Sequence, residues 1–161
     1  MAKVKANTDG FKKLMKNLKD ERILRVGIIG DKVKPHTDSG LTTAEIGTFH
    51  EFGTKKMSRR SFLEMPLKIK LDFKREDMKS LKKSLWKNLI QKNNAEEFYK
   101  ELGSRALKTI ALAFNTEGFG HWKTLTARTA KAKSRDNNNA HQILTATGLL
   151  RNSFMFKVIK K

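Results

Sequence analysis

The chain has 161 residues, about one domain's length and enough to bury a core. Its 38% apolar content, with ten Phe and two Trp at regular spacings, excludes a disordered chain, and the absence of Cys excludes disulfides and thiolate metal sites. Lys and Arg number 35 against 16 Asp and Glu, a net charge of +19 that attracts nucleic acid, acidic membranes or acidic proteins, or else simply solvates helix faces.

The opening "MAKVKANTDG" lacks the apolar segment of a secretory signal, and no window reaches the length of a membrane span. With no Cys, this fits a reducing, cytoplasm-like environment. Thr8 or Asp9 can cap a first helix, in which Phe11, Leu14, Met15 and Leu18 form one apolar stripe. The Ile- and Val-rich run "ILRVGIIGD" reads as a strand ending at the Gly30–Asp31 turn signal. A polar loop punctuated by Pro35 and Gly40 follows. Thr42 or Thr43 then caps a short helix carrying Ala44, Ile46, Phe49 and His50, with Gly53 as its left-handed stop.

The segment "PLKIKLDFK" supports two assignments. Leu67, Ile69, Leu71 and Phe73 alternate with polar residues as in a strand, whereas Pro66 at a first helical position suits a helix. Met78, Leu81, Leu85 and Leu89 mark the next helix. Asn94-Ala95-Glu96-Glu97 resembles a capping box for another, whose Phe98, Leu102, Ala106, Ile110 and Phe114 share a face until Gly118 and Gly120. A basic, polar stretch leads to "RDNNNAH", expected as a flexible loop, then a short helical piece and a final strand over Phe154–Ile159. The expectation is one α+β domain over residues 1–161 with its core in 9–159, flexible loops near 32–41 and 134–141, and a partly antiparallel sheet packed against two or more helices.

"IGTFHEFGT" sets His50 beside Glu51, the pairing of an acid–base site. A zinc-protease helix needs a second His four residues on, and Thr54 stands there. His36, His121 and His141 lie in loops with few carboxylates beside them, no G-x-S-x-G elbow is present, and "GFGHW" lacks a phosphate-cradling context. No catalytic residue, metal or cofactor is therefore assigned, and an enzyme is not expected. "HWKTLTARTAKAKSR" sets Trp122 among Lys123, Arg128, Lys131, Lys133 and Arg135, candidate polyanion contacts. Two readings stand: Trp122 stacks a base, or it pins the loop to the core while the cations face water. Lys55, Lys56, Arg59 and Arg60 form a second basic group, able to hold a phosphate or an acidic protein partner, or merely a solvated loop.

Two stretches together resemble the virion morphogenesis family of tailed bacteriophages, the neck and tail-completion group. In "AEIGTFHEFGTKKMSRRSFLEMPL" the sequence His50-Glu51-Phe52-Gly53-Thr54 is followed by Met57–Leu63, similar to the family's Ile-Pro-x-Arg-Pro-Phe-Leu loop. In "GFGHWKTLTARTAKAK…QILTATGLLRNSFMFKV" the matching positions are Trp122, Leu125, Thr126, Thr129, Ile143, Leu144, Thr147, Gly148, Leu150, Arg151 and Ser153. The blocks frame residues 44–158. Ser58 and Ser61 stand where the family often has Pro, which leaves the loop less rigid.

The resemblance implies a structural protein without catalysis, forming a ring, commonly sixfold, at the neck that joins a DNA-filled head to a tail. Its partners would be itself and neighbouring neck, connector and tail-terminator proteins, with non-specific contact to genomic DNA and none to membrane. It would reside in the virion after assembly in the host cytoplasm. His50, Glu51, Phe52, Gly53, Lys55, Lys56, Arg59, Arg60 and Phe62 then become candidate interface residues. Glu51 is expected to pair with Arg59 or Arg60 of the same or a neighbouring subunit, Phe52 and Phe62 to anchor the loop, and Trp122, Leu125, Thr129, Gly148, Leu150 and Arg151 to hold the second motif. The family usually continues into a helix after Phe-Leu, which tips residues 66–73 towards helix. A free-standing nucleic-acid-binding protein and a minor tail component away from the joint are the alternatives.

Overall fold

The computed structural model describes residues 8–19, 21–35, 40–72, 74–90, 95–136, 143–144 and 148–160. In chain order these form α1 (Thr8–Leu18), β1 (Arg22–Gly27), a 3-10 turn at Gly30–Lys32, α2 (Thr43–Phe52) and α3 (Glu64–Lys70). A second 3-10 turn at Glu76–Met78 follows, then α4 (Lys79–Ile90), α5 (Ala95–Asn115), α6 (Ala127–Asp136), α7 (Leu149–Asn152) and β2 (Met155–Lys160). The strands pair antiparallel, Arg22 opposite Lys160 and Gly27 opposite Met155, and α5 packs against both. The class is α+β.

Helix α5 is the spine, because its length lets one apolar face serve two clusters. Near its start Phe98 meets Met78 and Leu81, with Leu71, Leu85, Tyr99 and Leu102 around them. Towards its end Ile110 and Phe114 join Phe62, Trp122, Ile143 and Leu150. Between the two, Phe156 of β2 lies so close to α5 that a Cβ on Gly103 would sit 2.5 Å from its ring. The ribbon is thereby fixed to the middle of the spine. Among the described residues no helix is long and apolar enough to cross a membrane.

Several expectations change in the fold. Residues 64–70 are helical, and Pro66 is the third helical residue rather than the first. At the third position its missing N–H is still one the helix would leave unbonded. The helix ends at Lys70, and Phe73 lies outside the described residues. The basic stretch after Trp122 contains a helix, α6, that its polarity conceals. Thr126 caps it, its hydroxyl accepting from the Thr129 N–H at 3.3 Å, and Ala, Lys and Arg are good helix formers. The loop expected from residue 134 therefore begins inside α6, and its residues 137–141 lie outside the described set.

In the 32–41 segment Lys32 closes a 3-10 turn and Pro35 bridges to Thr42, with residues 36–39 outside the described set. The apolar stripe of α1 is only partly covered: Phe11 is 65% exposed and Met15 39%, while the Leu14 and Leu18 side chains lie outside the described set. The same holds for the Leu89 side chain and for Asn94.

Candidate functional site: the Glu51–Trp122 junction

Helix α2 is built the opposite way round from an ordinary amphipathic helix. Its buried residues are Thr43, Gly47 and Glu51, spaced four apart, while Phe49 and Phe52 are 39% and 68% exposed. Small and polar residues on the inner face let the helix backbone approach closely. A Cβ on Gly47 would lie 3.1 Å from the Ile28 side chain and 3.4 Å from that of Leu150. Thr43 meets its own needs at that depth, donating to the Lys32 carbonyl and accepting from the Lys34 N–H, each at 3.1 Å. Thr42 starts the helix with a capping box to Glu45.

Glu51, at the inner end of this stripe, caps the next helix. One carboxylate oxygen, Oε2, accepts from the N–H groups of Phe62 and Leu63 at 2.9 and 3.0 Å. The other, Oε1, accepts from the Glu64 N–H at 3.0 Å and from the Ser61 hydroxyl at 2.6 Å. Ser61 Oγ in turn accepts from the Met65 N–H at 3.0 Å. Every N–H at the start of α3 is thus satisfied, because Pro66 has none and Leu67 bonds to the Leu63 carbonyl. A carboxylate 5% exposed is tolerable here because four donors replace its water.

Within the chain Glu51 pairs its carboxylate with neither Arg59 nor Arg60. Arg59 reaches the Glu51 backbone carbonyl through Nε at 2.9 Å, and its terminal nitrogen pairs with Glu64 at 2.7 Å. Nor do His50 and Glu51 form an acid–base pair, since both Glu51 oxygens are engaged in capping. The Ser61 hydroxyl fixes the loop by two hydrogen bonds.

The second motif closes onto the first at this point. Trp122 is 6% exposed, and its indole N–H donates to the Ser61 carbonyl at 3.0 Å across 61 residues of sequence. Its ring stands edge-on to Phe114 at 5.6 Å, and Phe114 stacks on Phe62 at 5.5 Å. Arg60 adds a bond to the Lys123 carbonyl at 3.3 Å. Trp122 therefore pins its loop to the core and has no free face on which to stack a base. Gly118, at φ +68, makes room for the indole, with which a Cβ there would collide.

The remaining candidates divide by position. Phe62 is 2% exposed and is core, whereas Phe52 projects into solvent and does not anchor the loop. Gly53 stops α2 with φ 77 and ψ 173, a mirror-image extended conformation open essentially to Gly rather than the left-handed helical one expected. Lys55 and Lys56 sit on a tight turn closed by paired Thr54–Met57 backbone bonds. Leu150 is buried, Leu125 packs against the same cluster, and Gly148 precedes α7 at φ 68. Arg151 donates to Asn115 Oδ1 at 2.6 Å, and Thr129 shares a hydroxyl bond with Thr126. Arg128 and Lys131 are exposed on α6, and the Arg135 side chain and Thr147 lie outside the described residues.

A cavity of about 600 Å³ opens beside the junction, lined from both motifs. His50, Lys56 and Arg60 come from the first; Lys123, Leu125 and Lys133 come from the second. Burial, then the charges of Arg60 and Lys133, push His50 down to about 4, so the imidazole is neutral at pH 7. Its Nδ1 and Arg60 Nε are shielded from solvent with no hydrogen-bond partner. Burial also lowers Arg60, against the opposing pull of Glu117, and lowers Lys133, with Arg60 adding to the effect. Among the described residues no three His, Asp or Glu side chains gather as metal ligands.

Comparison with protein-family models, curated proteins and solved structures finds no match. Sequence reasoning missed the parts played by Thr43, Gly47, Ser61, Gly103 and Asn115. The four-residue spacing of Thr43, Gly47 and Glu51 was a readable signal, but only to a reader seeking a polar inner face. The clash relieved at Gly103 has no local signature.

Proposed function

We propose that this chain is a structural protein of a tailed phage or prophage virion, acting in the neck or tail-completion ring that joins the DNA-filled head to the tail. The observation that carries this reading is the union of the two motif blocks. They resemble one family's signature at separate places in the sequence, and they meet at the Ser61–Trp122 hydrogen bond. The site is built for holding shape: its carboxylate caps a helix and its Trp is buried. Beside it, Phe49 and Phe52 remain exposed at the end of α2, near the basic 55–60 loop. Exposed aromatics flanked by Arg and Lys are typical anchors of a protein–protein contact. In a ring, such a face meets a different face of the next subunit.

The test is electron microscopy of particles from a phage or prophage lacking this chain. Full heads and finished tails lying apart, or tails with faulty ends, are expected. Normal infectious virions would remove the joining role.

The exposed Arg128 and Lys131, three apart on α6, favour a secondary contact with DNA. Two phosphate contacts lose roughly tenfold in affinity when salt is raised fourfold. A dedicated DNA-binding protein, with more phosphate contacts, would show a steeper salt dependence yet retain measurable affinity near physiological salt. A merely basic virion protein would lose most of its binding, and measuring binding against salt separates the two.

A further inference from the structure

The cavity beside the junction has a chemistry that the ring reading does not use. Its lining carries Lys56, Arg60, Lys123 and Lys133 with no carboxylate among them. The enclosed lining combines aliphatic and cationic side chains: Thr43 is 2% and Leu150 9% exposed, Ile46, Leu125, Leu144 and Leu149 are half-buried together with Arg60 and Lys133, and Lys56 and Lys123 are exposed. Aliphatic side chains beside half-buried cations match a ligand that is apolar with an anionic group. At about 600 Å³ the space takes a few side chains, within the range of pockets that enclose small ligands or peptide anchors.

We infer that this cavity is a docking pocket for a segment of another protein in which carboxylates alternate with aliphatic side chains. The aliphatic groups fill the space against Ile46, Leu144 and Leu150, and a carboxylate meets Arg60 and Lys133. Burial supplies a driving force: Arg60 and Lys133 each have their charged form disfavoured by it, with Arg60 adding to the effect on Lys133, and an entering carboxylate restores the charged forms. The net charge of +19 steers an acidic segment towards the site. A nucleic acid fits less well. Its single strands bind by stacking bases on aromatic side chains, and the lining has no Phe, Tyr or Trp. A duplex backbone needs an open basic surface rather than a concave apolar one. The inference rests on the cavity alone and holds whether or not the chain acts at a virion neck.

Fluorescence anisotropy with the isolated full chain at physiological ionic strength tests it. The probe is a dye-labelled peptide of alternating Leu and Glu, compared with its Leu–Gln counterpart and with oligothymidylate. Saturable binding of the Leu–Glu peptide is expected, weakened at least about tenfold by Arg60→Met and by Lys133→Met. Lys87→Met, an equal charge change on α4 outside the lining, should leave it unchanged. Thermal melts of each variant check folding, and should Arg60→Met unfold through loss of its bond to Lys123, Lys133→Met carries the test. The inference fails if no peptide binds, if the Leu–Gln peptide binds equally, or if Lys87→Met weakens binding as much as the cavity variants do. It fails also if oligothymidylate alone binds and responds to the two cavity substitutions, which would mark a phosphate site.

Discussion

At the scale of single residues, Glu51 and His50 are neighbours with opposite environments. Glu51 is buried with its oxygens saturated by four donors, so Glu51→Ala strands the N–H groups of Phe62, Leu63 and Glu64. Loss of roughly 3–5 kcal/mol is expected from urea denaturation, the cost typical of removing one partner from a buried charge-assisted network. A change within 0.5 kcal/mol would show the cap to be dispensable. His50 is held neutral down to about pH 4, whereas in the unfolded chain it titrates near 6.5. Between those values the unfolded state binds more protons, so the contribution of His50 is complete above about pH 6.5 and is lost as pH falls towards 4. With solvent screening at this partly exposed ring allowed for, that loss is roughly 1–2 kcal/mol. The difference in stability between the wild type and His50→Gln should shrink or reverse across this window. A difference independent of pH would refute the assignment.

At the scale of elements, the α5–β2 contact turns on one missing methyl group. Gly103→Ala would gain about 1 kcal/mol in helix propensity, yet its Cβ would press into the Phe156 ring. Overpacking of this kind costs about 1–3 kcal/mol, and here the obstacle is the ring itself, so a lower melting temperature is expected. An unchanged or higher melting temperature would mean the ribbon can move off the spine. The helices α4 and α5 were legible in the sequence because Met78, Leu81, Phe98, Ala106, Ile110 and Phe114 lie inside at helical spacing. Helix α6 was not legible, since no described residue of it is buried and its start depends on a Thr126 cap with no apolar stripe behind it. The start of α3 was hidden for another reason: its cap comes from Glu51, on a different helix.

At the scale of the whole molecule, two phenylalanines ten residues apart take opposite positions. Phe62 is 2% exposed in the aromatic cluster and Phe52 is 68% exposed at the end of α2. Phe62→Ala should cost about 3–5 kcal/mol by denaturation. Phe52→Ser should change stability by no more than about 0.5 kcal/mol and, under the proposed ring role, reduce incorporation into particles in a complementation assay. If Phe52→Ser particles assemble normally, this face is not a contact surface. If Phe62→Ala folds as well as the wild type, the junction is not the core that its burial implies.

The sequence by itself determined the α+β class, both core-forming helices, a short helix capped at Thr42 or Thr43 and the pairing material for two strands. These follow from periodicity and capping, which act over a few residues. The structure alone decided what Glu51, Trp122 and Phe52 do. A buried carboxylate, a wedged indole and a solvent-facing ring are outcomes of which distant segments arrive beside them. The bond from Trp122 to Ser61 joins positions 61 residues apart, and no local pattern encodes that meeting.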